Sequence, residues 1–111
     1  MIDSILDSIK KRLGPSCEQT DFDPDIIDCI NTAFSILHNV GIGPIDGFSI
    51  TGNSEEWSIY TDDLIVLGMV KTYVYLKAKL FFDPPSNSYL LDSMKEELKE
   101  LEWRLNVNSD S

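Results

Sequence analysis

The sequence has little positive charge and few residues that could supply chemistry. It contains 9 lysine and arginine residues against 19 acidic ones, which gives a formal net charge of −10. A protein that binds nucleic acid through phosphate contacts needs clustered lysine and arginine, so this balance argues against that class. The charge fits instead a protein that stays soluble by repulsion, or one whose partner is basic.

Long apolar runs and a secretion signal are also missing. No stretch reaches the roughly 18 consecutive apolar residues that a membrane-spanning helix needs. Met1 opens into an amphipathic segment and not into a basic region followed by an apolar run. The default expectation is therefore a cytosolic origin. Cys17 and Cys29 are the only cysteines and do not form a CxxC pair, so we expect separate, reduced thiols.

The few candidates for a chemical site do not assemble into one. His38 is the only histidine, with no second histidine or cysteine at ligand spacing. Four acids crowd the start of one predicted helix but lack the glycine and the distal glutamate of a calcium loop; they are Asp21, Asp23, Asp25 and Asp28. A Gly-Ile-Gly at 41–43 has no basic residue near it, which excludes a phosphate loop. We predict no enzyme, no cofactor and no metal.

What the sequence does contain is a pair of long helices at 62–82 and 87–105. Apolar residues recur at spacings of three and four in both arms. The second arm carries this seam in Leu91, Met94, Leu98, Leu101 and Leu105. The corner Asp83-Pro84-Pro85-Ser86 ends the first arm, because proline lacks an N–H and clashes with the preceding turn. We expect an αα-hairpin, with Ser86 as the N-cap of its second helix and Thr61 capping the first.

Two further helices are predicted at 2–13 and 24–40. Both carry an apolar stripe at helical spacing. Asp23 is the expected N-cap of the second, with Pro24 at its first position. Gly14 and Gly41 follow the two stripes, where glycine commonly ends a helix. The helix at 62–82 is apolar on most of its circumference, so it should lie at the centre of the bundle or contact a neighbouring chain.

The segment 41–60 differs in character, because it is rich in glycine and alternates apolar and polar residues. Such alternation indicates a small β-hairpin or an ordered extended loop at about 47–60. A lone hairpin is marginal in water, so it should gain its order by packing on the helices or on another subunit. The predicted fold is thus mainly α: a four-helix bundle-like single domain over 1–107, with this insertion and a flexible tail at 108–111.

Several stretches together resemble the head–tail connector (adaptor) proteins of tailed bacteriophages and prophages. The strongest are the Phe-Phe-Asp-Pro-Pro corner and the Leu-Glu-Trp-Arg-Leu ending. The full set covers 70–77, 80–88 and 99–106, with weaker matches at 40–44 and 48–51 followed by Trp57. The resemblance extends over about 2–107, and none of its motifs is a catalytic signature.

The resemblance implies a helical protein that forms a ring with copies of itself, typically twelve, beneath the capsid portal. Such a ring joins the portal to the downstream neck or tail-completion protein, and genomic DNA passes through it without specific contacts. It implies a location in the neck of the virion, after synthesis in the bacterial cytoplasm. It implies no membrane partner and no catalytic residue.

Surplus apolar surface marks the candidate interface residues. We predict that the 41–60 segment contacts a neighbouring subunit or the next neck protein, and that the end of the chain from Trp103 onward contacts the portal. Trp103 itself either packs against the first helix or anchors an interface. The complete predicted interface set is Phe48, Ile50, Trp57, Ile59, Tyr60, Trp103, Arg104 and Val107.

A second function class is compatible with the same residues. A small cytosolic helical adaptor or regulator, acting as a monomer or dimer on one protein partner, would carry a similar composition and similar exposed apolar residues. Light scattering over a range of concentrations separates a ring from such a protein.

Overall fold

A computed structural model describes residues 4–14, 20–61, 63–82 and 84–109 of the chain. In these ranges the helices are α1 (Ile5–Leu13), α2 (Asp23–Asn39), the single turn α3 (Trp57–Tyr60), α4 (Leu64–Phe82) and α5 (Ser88–Ser109), with a 3₁₀ turn at Thr20–Phe22. The four longer helices pack around one core, which confirms the mainly helical, bundle-like prediction.

Helix α4 is the centre of this arrangement. It makes extensive contact with α1, with α2 and with α5. Its buried residues point to all three neighbours and are Leu67, Val70, Tyr73, Val74, Leu76 and Ala78. The central position predicted from its apolar circumference is therefore confirmed. The seam of α5 packs towards α4, with Leu98 and Leu105 buried.

The hairpin of α4 and α5 is antiparallel, as its short connection requires. The Tyr73 hydroxyl in the middle of α4 donates to a Glu102 carboxylate oxygen of α5 at 2.9 Å. Burial, followed by this carboxylate, raises the pKa of Tyr73 above its ordinary value, so the phenol stays protonated as a donor. The C-terminal half of α5 thus lies beside the N-terminal half of α4.

The predicted N-caps of the two hairpin helices were wrong by one or two residues. Asp63, not Thr61, caps α4, because its Oδ1 accepts from the amides of Ile65 and Val66. Asn87, not Ser86, caps α5, because its Oδ1 accepts from the amides of Tyr89 and Leu90 at 2.8 and 3.4 Å. Before each of these helices, two residues that can act as N-caps lie close together in sequence. The residue nearer the helix is the one whose side chain reaches the free amides of the first turn.

Asp23 is also not the N-cap of α2, since it is the first residue of the helix itself. The 3₁₀ turn leads directly into α2, and Phe22 occupies the cap position without a side-chain bond. The Asp23 carboxylate instead forms an ion pair with Lys10 of α1 at 2.8 Å. An acidic side chain that sequence alone assigns to a cap thus joins two helices.

The remaining helix ends follow the sequence more closely. Ser4 caps α1, and the earlier residues predicted to belong to this helix lie outside the described residues. Gly14 and Gly41 both have positive φ, as predicted for helix ends. Helix α5 continues to Ser109, past the predicted end at 105, because nothing after Leu105 breaks a helix. The flexible tail at 108–111 stays a prediction.

The insertion forms an extended loop and not a β-hairpin. The described residues contain only one isolated antiparallel bridge, between Ser4 and Glu56. Residues Trp57–Tyr60 form a helical turn where their alternation indicated a strand. Four residues fit either period, and the buried pair Trp57 and Tyr60 has the spacing of three that belongs to a helix.

Side chains take the place of strand partners along this loop. The Asn31 side chain on α2 accepts from the Ile50 amide at 2.7 Å and donates to the Ile50 carbonyl at 3.0 Å. The Glu55 carboxylate accepts from the amides of Thr51 and Gly52. The Thr51 amide is the main reason that the pKa of Glu55 lies below its ordinary value. The backbone is thus satisfied without a second strand.

We predict that Asn31→Ala lowers the free energy of unfolding by about 2 kcal/mol, because it leaves both polar groups of the buried Ile50 backbone unpaired. Urea denaturation followed by circular dichroism measures this change. Thr32→Ala is the matched control on the same helix; it removes only an exposed bond to the Asp28 carbonyl and should change stability by less than about 0.5 kcal/mol. Equal effects of the two variants would contradict a stabilising role for the Asn31–Ile50 hydrogen bonds.

We also predict that Gly43→Ala destabilises the fold by about 2 kcal/mol, whereas Gly52→Ala is neutral or slightly stabilising. Gly43 has a φ of 92°, and a Cβ there would lie 2.8 Å from the ring and the hydroxyl of Tyr60. At Gly52 a Cβ would meet nothing within 4 Å. Thermal melts of the two variants give the comparison, and equal melting temperatures would contradict the close packing.

Candidate interaction surfaces

Half of the predicted interface residues belong to the subunit's own core. Ile50, Trp57 and Tyr60 are buried, and Phe48 is half-buried against the same core. The 41–60 segment therefore gains its order by packing on its own helices, one of the two alternatives left open by its sequence. The interface role of these side chains stays a prediction. Ile50, Trp57 and Tyr60 could contact a partner only if the core opened.

An aromatic cluster holds this segment in place. The Phe34 ring on α2 lies at its centre, with ring centroids 5.2 Å from Phe48, 4.8 Å from Tyr60 and 6.2 Å from Trp57. The Trp57 indole N–H donates to the Ser8 hydroxyl of α1 at 2.8 Å. Burial raises the pKa of Tyr60 above its ordinary value. The cluster thus ties α1, α2 and the insertion together.

The other half of the predicted set is exposed. Ile59 and Val107 are exposed, and Trp103 is 67% exposed, so it does not pack against α1. Arg104 forms an ion pair with Glu100 one turn earlier on α5, at 2.8 Å. That pair lies at the surface and contributes a few tenths of a kcal/mol at most.

Other exposed apolar side chains were not singled out from the sequence. Leu64 and Ile65 stand at the start of α4, at the same end of the hairpin as Val107. Tyr89 and Leu90 at the start of α5 lie at the opposite end, with Phe81. All five are more than half exposed. The apolar circumference of α4 indicated that some of its apolar side chains would stay exposed. That pattern does not tell which apolar positions the other helices cover.

Acidic side chains dominate the outer face of α5. A shallow trough along this face runs from Tyr89 to Trp103. Its lining includes four acidic residues and one lysine, which are Asp92, Glu96, Glu97, Glu100 and Lys99.

Several of the protein's own cations are engaged within the subunit. Arg12 stacks on Tyr75 at 4.0 Å, Lys71 lies 5.7 Å from the Trp57 ring, and Lys10 pairs with Asp23. These contacts leave the acidic excess to the surface.

A second concave feature lies between α2 and α4 on the other flank. This groove of about 380 Å³ is lined by Asp25, Asp28, Cys29, Ala33, Lys77 and Phe81, among others. Its wall is mostly apolar: Ala33 is fully buried beneath it, and Phe81 stands 67% exposed beside it. Burial, then the charges of Asp28 and Asp25, raises the pKa of the Cys29 thiol.

The acidic side chains and the histidine do not gather into a metal-binding group in the described part of the chain. In the ranges given above, no group of three or more histidine, cysteine or acidic side chains is placed to hold a metal ion. The His38 Nε2 lies 3.0 Å from the Ile45 carbonyl, where it holds the glycine-rich loop against α2.

Comparison with known families identifies a family for the chain. The family model described as phage connector protein matches residues 5–111. No curated protein and no solved structure matches the chain. Among the described residues, no helix is both long and apolar enough to span a membrane. The family match covers nearly the whole sequence and includes all five helices, and on that basis the chain belongs to the phage connector protein family.

Proposed function

We propose that this protein is a structural component of the phage neck, where copies of it form a ring between the portal and the tail through which the genome passes. The observation that carries the proposal is the exposure of large apolar side chains at both ends of the α4–α5 hairpin. Membership of the connector family supports the role of a joint between head and tail structures.

The two apolar ends suit a protein that must be held from two sides. Leu64 is 80% exposed at one end and Tyr89 is 77% exposed at the other. Apolar side chains that are exposed near one another commonly mark protein contacts. A lone partner at one end would leave the other apolar end uncovered, so the pattern favours a connector over a single-partner adaptor.

The charge suits a ring around moving DNA. With a net charge of −10 per copy, a closed ring presents a negative field to its lumen. Phosphates are repelled by such a field, so the channel has no electrostatic hold on the genome.

We assign the end of the hairpin with Val107 and the last turn of α5 to the portal. The opposite end, with Tyr89 and Leu90, then faces the next neck protein. In the 41–60 segment the contact with a neighbour falls to the exposed Ile59, because the other apolar side chains of the predicted set are covered.

Co-sedimentation with portal rings tests the function. We expect the unchanged protein to sediment with the rings and Val107→Asp to bind at least about tenfold more weakly, because a carboxylate would be desolvated in an apolar contact. Ile45→Asp, at a loop position that is 91% exposed, is the control and should bind normally.

Each outcome of that experiment has a separate meaning. Circular dichroism should show unchanged helicity for both variants, since both positions are exposed. Normal binding of Val107→Asp would show that the portal contact does not include Val107 and lies elsewhere on the molecule. If the unchanged protein neither sediments with portal rings nor forms multimers by light scattering at any concentration, the function itself is wrong.

A further inference from the structure

We propose that Trp103 of one copy docks into the α2–α4 groove of the next copy, so that this contact is the repeating interface of the ring. The inference rests on the proposed function in that it assumes association of like copies. It assigns Trp103 to the neighbouring copy and leaves the last turn of α5, with Val107, to the portal.

The position of the two surfaces allows such a contact. The groove lies between α2 and α4, whereas Trp103 projects from the outer face of α5. Both α2 and α5 pack extensively against α4, and α5 covers a different part of α4 from the groove. A contact between two different surfaces of identical copies is heterologous, and heterologous contacts generate rings when the rotation closes.

The shapes and apolar surfaces are also complementary. Trp103 is a large side chain left 67% exposed, and the groove of about 380 Å³ has room for an indole ring. Phe81 on the groove wall offers an aromatic edge, and Ala33 a small apolar floor. Aromatic pairs of this kind add stabilisation beyond their buried area. Tryptophan is also one of the residues enriched among interface anchors that fill well-packed pockets.

A charged residue beside Trp103 matches the groove as well. Lys99 lies one helical turn before Trp103 on the same face of α5, and Glu100 lies beside it. The groove presents Asp25 and Asp28 on its α2 side and Lys77 on its α4 side. Glu100 already pairs with Arg104 in its own copy, so Lys99 is the charge beside Trp103 that complements the two aspartates of the groove.

Site-directed cross-linking tests the contact directly. One copy carries Cys17→Ser and keeps Cys29 in the groove. A second copy carries Cys17→Ser, Cys29→Ser and Glu100→Cys, which places a thiol at an exposed position one turn before Trp103. The two are mixed with portal rings and treated with a short bismaleimide at mildly alkaline pH, because the raised pKa of Cys29 slows its reaction at neutral pH.

We expect a covalent dimer that joins the two kinds of copy. The matched control replaces Glu100→Cys with Tyr89→Cys, on the same outer face of α5 but about 21 Å from Trp103 along the helix. It should give at least fivefold less dimer. Adding Trp103→Ala to the Glu100→Cys copy should abolish most of the product. Equal yields from the two thiol positions, in copies that do assemble, would overturn the contact and leave the ring standing.

Charge reversal gives a second, independent measurement. Lys99→Glu and Asp28→Lys should each raise the concentration for half-maximal assembly by about tenfold, and the double variant should return it to within about threefold of the unchanged protein. If the double variant assembles as weakly as the single variants, the pairing of Lys99 with Asp28 is overturned. If no variant and no unchanged protein assembles with or without portal rings, both this contact and the proposed ring are overturned.

Discussion

The packing of α4 against three other helices is the constraint on which the rest of the structure depends. A helix that is apolar on most of its surface is stable in water only where neighbours cover it. Helices α1, α2 and α5 all contact it, yet Leu64, Ile65 and Phe81 near its two ends stay exposed. The core and these exposed apolar residues therefore have the same origin, which is the apolar circumference of α4.

Much of this fold could be predicted from the sequence, because helical periodicity and strong helix breakers are local signals. The proline corner after α4 and the seam of α5 required no knowledge of the tertiary structure. The caps were less predictable, since neighbouring residues such as Ser86 and Asn87 both qualify and only the path of the chain selects one. Asp23 shows the same limit, as its carboxylate finds a lysine on another helix.

The candidate surfaces were harder to predict than the fold. Apolar side chains of the insertion were expected at an interface, yet Phe34 on α2 gathers Phe48, Trp57 and Tyr60 around itself. A sequence pattern shows that a residue will be buried but not whether its own chain or another chain buries it. The groove beside Cys29 left no signal at all, because it is formed by two helices that are distant in sequence.

The two tryptophans occupy opposite environments. Trp57 is enclosed in the core with its N–H on Ser8, and Trp103 stands in solvent. An indole in water emits at longer wavelength than one in an apolar setting, so the red-shifted part of the protein's fluorescence belongs to Trp103. The chain therefore carries its own optical reporter on the outer face of α5, with the emission of Trp57 as an internal reference.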